Sequence, residues 1–142
     1  MSAPGVAFAL GWGALLFLAR LASGQVLPLP QRATNALSGS ALAQQLAPLS
    51  LPEREEELYA QVLSGNVPAF LRRLCPVQLT SLSEGRTNTG TIYVTPDYLC
   101  LGSDRDYVLM PLSPNLGQRI ADALDCSLPT PRMVDSLYGP AP

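Results

Sequence analysis

The chain has 142 residues, 47% hydrophobic and only 14% charged, with 14 prolines and a net charge of −2. That is enough for one domain with its own core, built from short elements with frequent stops. Every basic residue is arginine and there is no histidine, which excludes a Ser-His-Asp triad, a Cys-His pair and a histidine-ligated zinc. No basic run exceeds Arg72-Arg73, so nucleic-acid binding through phosphate neutralisation is not expected.

Residues 6–19 form an unbroken apolar run. It is short for a spanning helix, which needs about 20 residues, and suits the h-region of a signal peptide. Ala22-Ser23-Gly24 then sets small residues at −3 and −1 of a cut after Gly24. Residues 1–24 are therefore expected to be a signal peptide, and the mature chain to begin at Gln25. This implies a secreted or periplasmic, cell-envelope location, with membrane contact only through the first segment if it stays uncut.

Residues 25–37, rich in proline and small polar residues, read as an extended leader. Residues 38–138 read as a single domain and residues 139–142 as a tail. Ser38-Gly39-Ser40 can cap a short helix over 41–47, with Leu42 and Leu46 on one face. The clearest helix follows. Pro52 and a run of glutamates sit at its positive end, Leu58, Val62 and Leu63 form its stripe, and Gly65 is a good left-handed cap. Asn66 is expected to cap another short helix with Phe70, Leu71 and Leu74 inward and Arg72 and Arg73 outward.

From Val77 the period changes to two. Strands are expected around Val77–Leu82, over 91–95, over 98–101 and over 106–112, joined by a loop at 84–88, a turn at Pro96-Asp97 and a turn at 102–105. Such short connections predict a four-stranded antiparallel meander. Ser113-Pro114 opens a helix to residue 125 with Leu116, Ile120, Ala123 and Leu124 on its apolar face. Thr130-Pro131 opens a last one with Met133, Val134 and Leu137. The predicted fold class is α+β, with N-terminal helices, the meander, and two C-terminal helices.

Three cysteines, Cys75, Cys100 and Cys126, suggest one disulfide and one free thiol in an oxidising compartment, with the pairing open. No CxxC motif is present, and neither a metal nor a cofactor site is expected. The densest polar constellation is Gly102-Ser103-Asp104-Arg105-Asp106, which can bind a cation or do acid/base work, or simply form a hairpin turn. Asp97 joins Asp104 and Asp106 as a candidate carboxylate. A hydrolase would need at least two of the three in one cleft with raised pKa values. No GxSxG or Ser-Lys arrangement is present. Tyr93, Tyr98, Arg105 and Tyr107 are the candidate contact residues of a binding surface, because aromatics and arginine anchor interfaces.

The stretches Gly65-Asn66-Val67-Pro68-Ala69-Phe70-Leu71-Arg72-Arg73-Leu74, Tyr93-Val94-Thr95-Pro96-Asp97-Tyr98-Leu99 and Met110-Pro111-Leu112-Ser113-Pro114 carry a resemblance. So do Gln118-Arg119-Ile120-Ala121-Asp122 and Cys126-Ser127-Leu128-Pro129-Thr130. Together they resemble the N-terminal portion of a family of uncharacterised exported proteins, mostly bacterial, over residues 41–138. The resemblance implies a real exported domain and no named activity. Family members are longer, and their histidine-containing second half has no counterpart here. The favoured function is an exported, non-catalytic binding or structural module for a protein or a cell-envelope polymer. The alternatives are a small carboxylate-dependent hydrolase or its remnant, and a secreted effector or inhibitor.

Overall fold

A computed structural model describes residues 26–138; the expected signal peptide and the tail at 139–142 lie outside the described residues. The elements run α1 (Gly39–Leu46), α2 (Leu51–Leu63), a 3-10 turn (Phe70–Arg72), β1 (Cys75–Ser83), β2 (Arg86–Val94), β3 (Cys100–Gly102), β4 (Tyr107–Leu109), α3 (Pro114–Ala123) and α4 (Pro131–Tyr138). Helix and antiparallel sheet are both present, as an α+β chain requires. Among the described residues no helix is long and apolar enough to cross a membrane.

The helices start where local chemistry tells them to. The Glu53 carboxylate accepts the Ser50 amide at 3.0 Å in a capping box, with Pro52 in the first turn of α2. The Ser113 hydroxyl accepts the Leu116 amide at 3.2 Å, with Pro114 next. Leu42 and Leu46 of α1, Leu58 and Val62 of α2, and Leu116, Ile120 and Leu124 at α3 then meet Leu71, Cys100 and Leu101 in one core. Each such aliphatic side chain contributes roughly 1.5–3 kcal/mol on burial. At the surface, Arg119 of α3 grips Glu56 of α2 through two oxygens, 2.7 and 3.2 Å away, and lies 4.4 Å from the centre of the Tyr59 ring.

The four-stranded meander does not form. Instead β1 pairs with β2, and β3 with β4, in two separate antiparallel hairpins. Pro96 interrupts the link between β2 and β3 and supplies no amide to a ladder. The Gly102 amide donates to the Asn66 carbonyl at 3.0 Å, and α1 packs on β3 and β4. The short hairpin is therefore claimed by helix α1 and the Asn66 segment, leaving the long one by itself. The expected loop at 84–88 is a two-residue turn, with positive φ at Glu84 (53°) and Gly85 (72°), so the first two strands reach nine residues each. The helix expected after Asn66 is only the single 3-10 turn; Phe70 stays 37% exposed while Leu71 is buried.

The leader is extended and tied down. Val26 bridges to Arg73, the Leu27 amide donates to the Arg72 carbonyl at 2.9 Å, and Leu27 enters the core. Arg72 donates to the carbonyls of Leu29, Pro30 and Gly65. A β-carbon at Gly65 would collide with the Pro30 carbonyl oxygen, and its φ is +78°. Beside it lies Asn66, 1% exposed and fully bonded. Its Oδ1 accepts from Arg32 Nε at 2.8 Å, and its Nδ2 donates to the Leu37 carbonyl (3.1 Å) and to Gln61 Oε1 (2.7 Å). Asn66→Ala strips partners from Arg32, Gln61 and Leu37 at once and is expected to lower stability by about 2–4 kcal/mol, read as the midpoint of urea unfolding.

Candidate functional site

The turn between β3 and β4 carries the densest polar group, and its geometry explains what those side chains do. Gly102 adopts φ +121°, and a β-carbon there would strike the Asp106 carbonyl oxygen and the Gly39 backbone. A β-carbon at Gly39 would fall 2.5 Å from the Tyr107 carbonyl carbon. Backbone thus rests on backbone, and the N-terminus of α1 ends on the turn. Asp106 takes its open donors: the Gly39 amide donates to the Asp106 carbonyl at 2.8 Å and the Ser40 amide to its Oδ1 at 2.9 Å. The Ser40 hydroxyl donates to Oδ2. The two amides are orphan groups of a helix start, one met by the Asp106 carbonyl and the other by its carboxylate at the positive end of the dipole.

The other two carboxylates are also held. Asp104 Oδ1 accepts the Ala69 amide at 2.6 Å, joining this turn to the 3-10 turn. Asp97 Oδ1 accepts the Tyr98 amide at 2.7 Å, ahead of β3, whereas Asp104 follows β3. Hydrogen bonds from the Ser40 and Ser38 hydroxyls and the Ser40 amide hold the Asp106 carboxyl below its ordinary value of 3.8. That is the opposite direction from a proton-donating acid.

Asp104 also borders an open cleft of about 250 Å³ lined by Arg32, Val67, Pro68, Arg72 and Ser103. Next to Ala69, Phe70 meets Tyr107 edge to face, with ring centres 5.3 Å apart and planes at 68°. Both rings are exposed, by 37% and 43%. The sequence had singled out Tyr107 and Asp104 but set Phe70 inward and Arg72 outward. The reverse holds for both, since Arg72 is half-buried against carbonyls as many as 43 residues away. Arg105 is exposed on the same turn. Tyr93 on β2 and Tyr98 in the bend before β3 are exposed elsewhere along the chain. Among the described residues no three His, Cys, Asp or Glu side chains gather as a metal site requires. A second cleft of about 460 Å³, lined by Leu46, Leu51, Leu58, Met110 and Leu112, contains none of the candidate residues.

The three cysteines are free thiols, in place of the one disulfide expected from the sequence. Cys100 is buried within the core, while Cys75 and Cys126 are exposed. Burial, with a smaller contribution from Asp97, pushes the Cys100 thiol up to about 11. Burial and then Asp125 also raise Cys126, whose sulfur lies 3.3 Å from the Leu124 carbonyl oxygen.

Two outcomes follow for the folded chain. Since the thiolate is the nucleophile, iodoacetamide at neutral pH should modify Cys75 first, Cys126 more slowly and Cys100 only after denaturation, as mass spectrometry of digests would show. A depressed carboxyl contributes stability above its unfolded pKa and loses it as pH falls through the folded value. Asp106 therefore supports the fold in full above its ordinary value of 3.8, and that support is lost progressively as the pH falls below it through the lower folded value. Asp106→Ala should lower the thermal midpoint by a few degrees at neutral pH and less at pH 3. No family model, no curated protein and no solved structure matches the chain.

Proposed function

We propose that the chain is an exported, non-catalytic binding module whose contact surface is the Phe70–Tyr107 pair with the adjoining cleft. The observation that carries this reading is an edge-to-face ring pair on two residues each more than a third exposed, with Phe70 following Ala69, which lines a cleft together with Arg32, Arg72, Ser103 and Asp104. Rigid aromatics beside arginine are the side chains that anchor interfaces. The partner is an extended, polar segment of a cell-envelope polymer or of another protein. It stacks on the rings and offers oxygen acceptors to the guanidinium groups. A hydrolase would need at least two of the three candidate carboxylates in one cleft, whereas all three accept backbone amides and, of the three, Asp104 alone borders the cleft. Export rests on the apolar run at 6–19 and the small residues before Gln25.

Co-sedimentation of the purified chain with the insoluble envelope fraction of its source, before and after protease treatment, tests the reading and separates the two partner classes. Phe70→Ala and Tyr107→Ala should each weaken retention about tenfold with little change in thermal midpoint, and Tyr98→Ala should leave it near the starting value. Retention that is absent, or indifferent to both ring substitutions, overturns the proposal. An intact mass beginning at Gln25 is the expected result for chain recovered from the medium or envelope.

A further inference from the structure

The β1–β2 hairpin has one surface that nothing above uses. Residues 80–91 are exposed without exception, on both faces of the ribbon. In a two-residue hairpin the closing pair, Ser83 and Arg86, is the closely hydrogen-bonded one, and the pairs alternate from there. Counting back, Leu82, Thr80, Gln78 and Pro76 turn their main-chain groups outward on β1, and Thr87, Thr89, Thr91 and Tyr93 do so on β2. The two edges differ. Pro76 has no amide to offer, and α4 packs against β1. The β2 edge has four outward amides, no proline, no lysine, and no charge between Arg86 and Val94. It thus lacks the usual devices that keep an edge from pairing.

We propose that this edge pairs antiparallel with β2 of a second copy of the chain, about a two-fold axis through Gly90. That register is self-complementary. Thr89 falls opposite the second copy's Thr91, and Thr87 opposite its Tyr93, so outward donors and acceptors meet at every hydrogen-bonded position. Threonine pairs and threonine–aromatic pairs are favourable across strands. The charges agree as well. Arg86 falls level with Val94 of the second copy, three residues before its exposed Asp97, and the two-fold repeats this opposition at the other end. The remaining outer edges are the two β1 strands, blunted by Pro76, so assembly stops at a four-stranded sheet and two chains.

The test is light scattering during gel filtration of the chain, from micromolar to millimolar concentration. A mass rising to two chains is expected, and a single-chain mass throughout overturns the proposal. Thr89→Pro removes an outward amide that the hairpin itself does not use. It should raise the dimer dissociation constant about tenfold or more with an unchanged circular dichroism spectrum. A dimer as tight as the original overturns the assigned edge. Gly90→Cys, with Cys75 and Cys126 replaced by serine, covers the case in which the proline variant fails to fold. A β-carbon at position 90 meets nothing within 4 Å. Oxidation should link two chains through this position, and failure to cross-link under conditions where the mass is that of two chains overturns the two-fold register.

Discussion

One buried side-chain amide fixes how the parts of this protein meet. Asn66 joins the leader, through Arg32 and the Leu37 carbonyl, to the end of α2 through Gln61. Its own carbonyl holds Gly102 of β3. A polar group at 1% exposure is tolerable only because each of its donors and acceptors is met. The same satisfied network specifies one arrangement of three chain segments. Apolar packing among so many leucines would select that arrangement far less sharply. Glycine at position 65 is what lets the chain turn there and lets Pro30 lie against it.

The carboxylates of the β3–β4 turn show how a cluster that resembles chemistry can be structural. Asp104 and Asp106 each reach across to a backbone amide 35 and 66 residues away. They bind the 3-10 turn and the start of α1 to one short hairpin. Their arrangement is that of fasteners, with the aromatic pair left outside the fastened region.

Helices were legible in the sequence because their signals are local. Pro52 with the glutamate run, Ser113-Pro114 and Thr130-Pro131 mark starts that the structure keeps, and the apolar spacing of Leu58 with Val62 and of Leu116 with Ile120 marks the buried faces. The first hairpin was legible as alternation, but its turn was read too long, since glutamate at positive φ leaves no trace in composition. The grouping of strands was not legible. Whether β3 pairs with β2 is decided by Asn66 and α1, which compete for it from distant positions. Of the candidate site, Tyr107 and Asp104 stood out as residue types in a turn. Phe70, Arg32 and Arg72 did not, because their exposure depends on where the leader lies.

The strap formed by residues 26–30 also bears on the order in which the chain can fold. Its partners are the Arg72 carbonyl, the Arg72 guanidinium and Arg73, some 43 residues later. A chain that emerges N-terminus first therefore keeps this segment loose while α1 and α2 form. High sequence separation of this kind delays closure, because loop entropy is lost before the contacts form. The leader appears before everything it is fastened to, so until residue 73 is available Leu27 remains in water, open to any chaperone that recognises extended apolar chain.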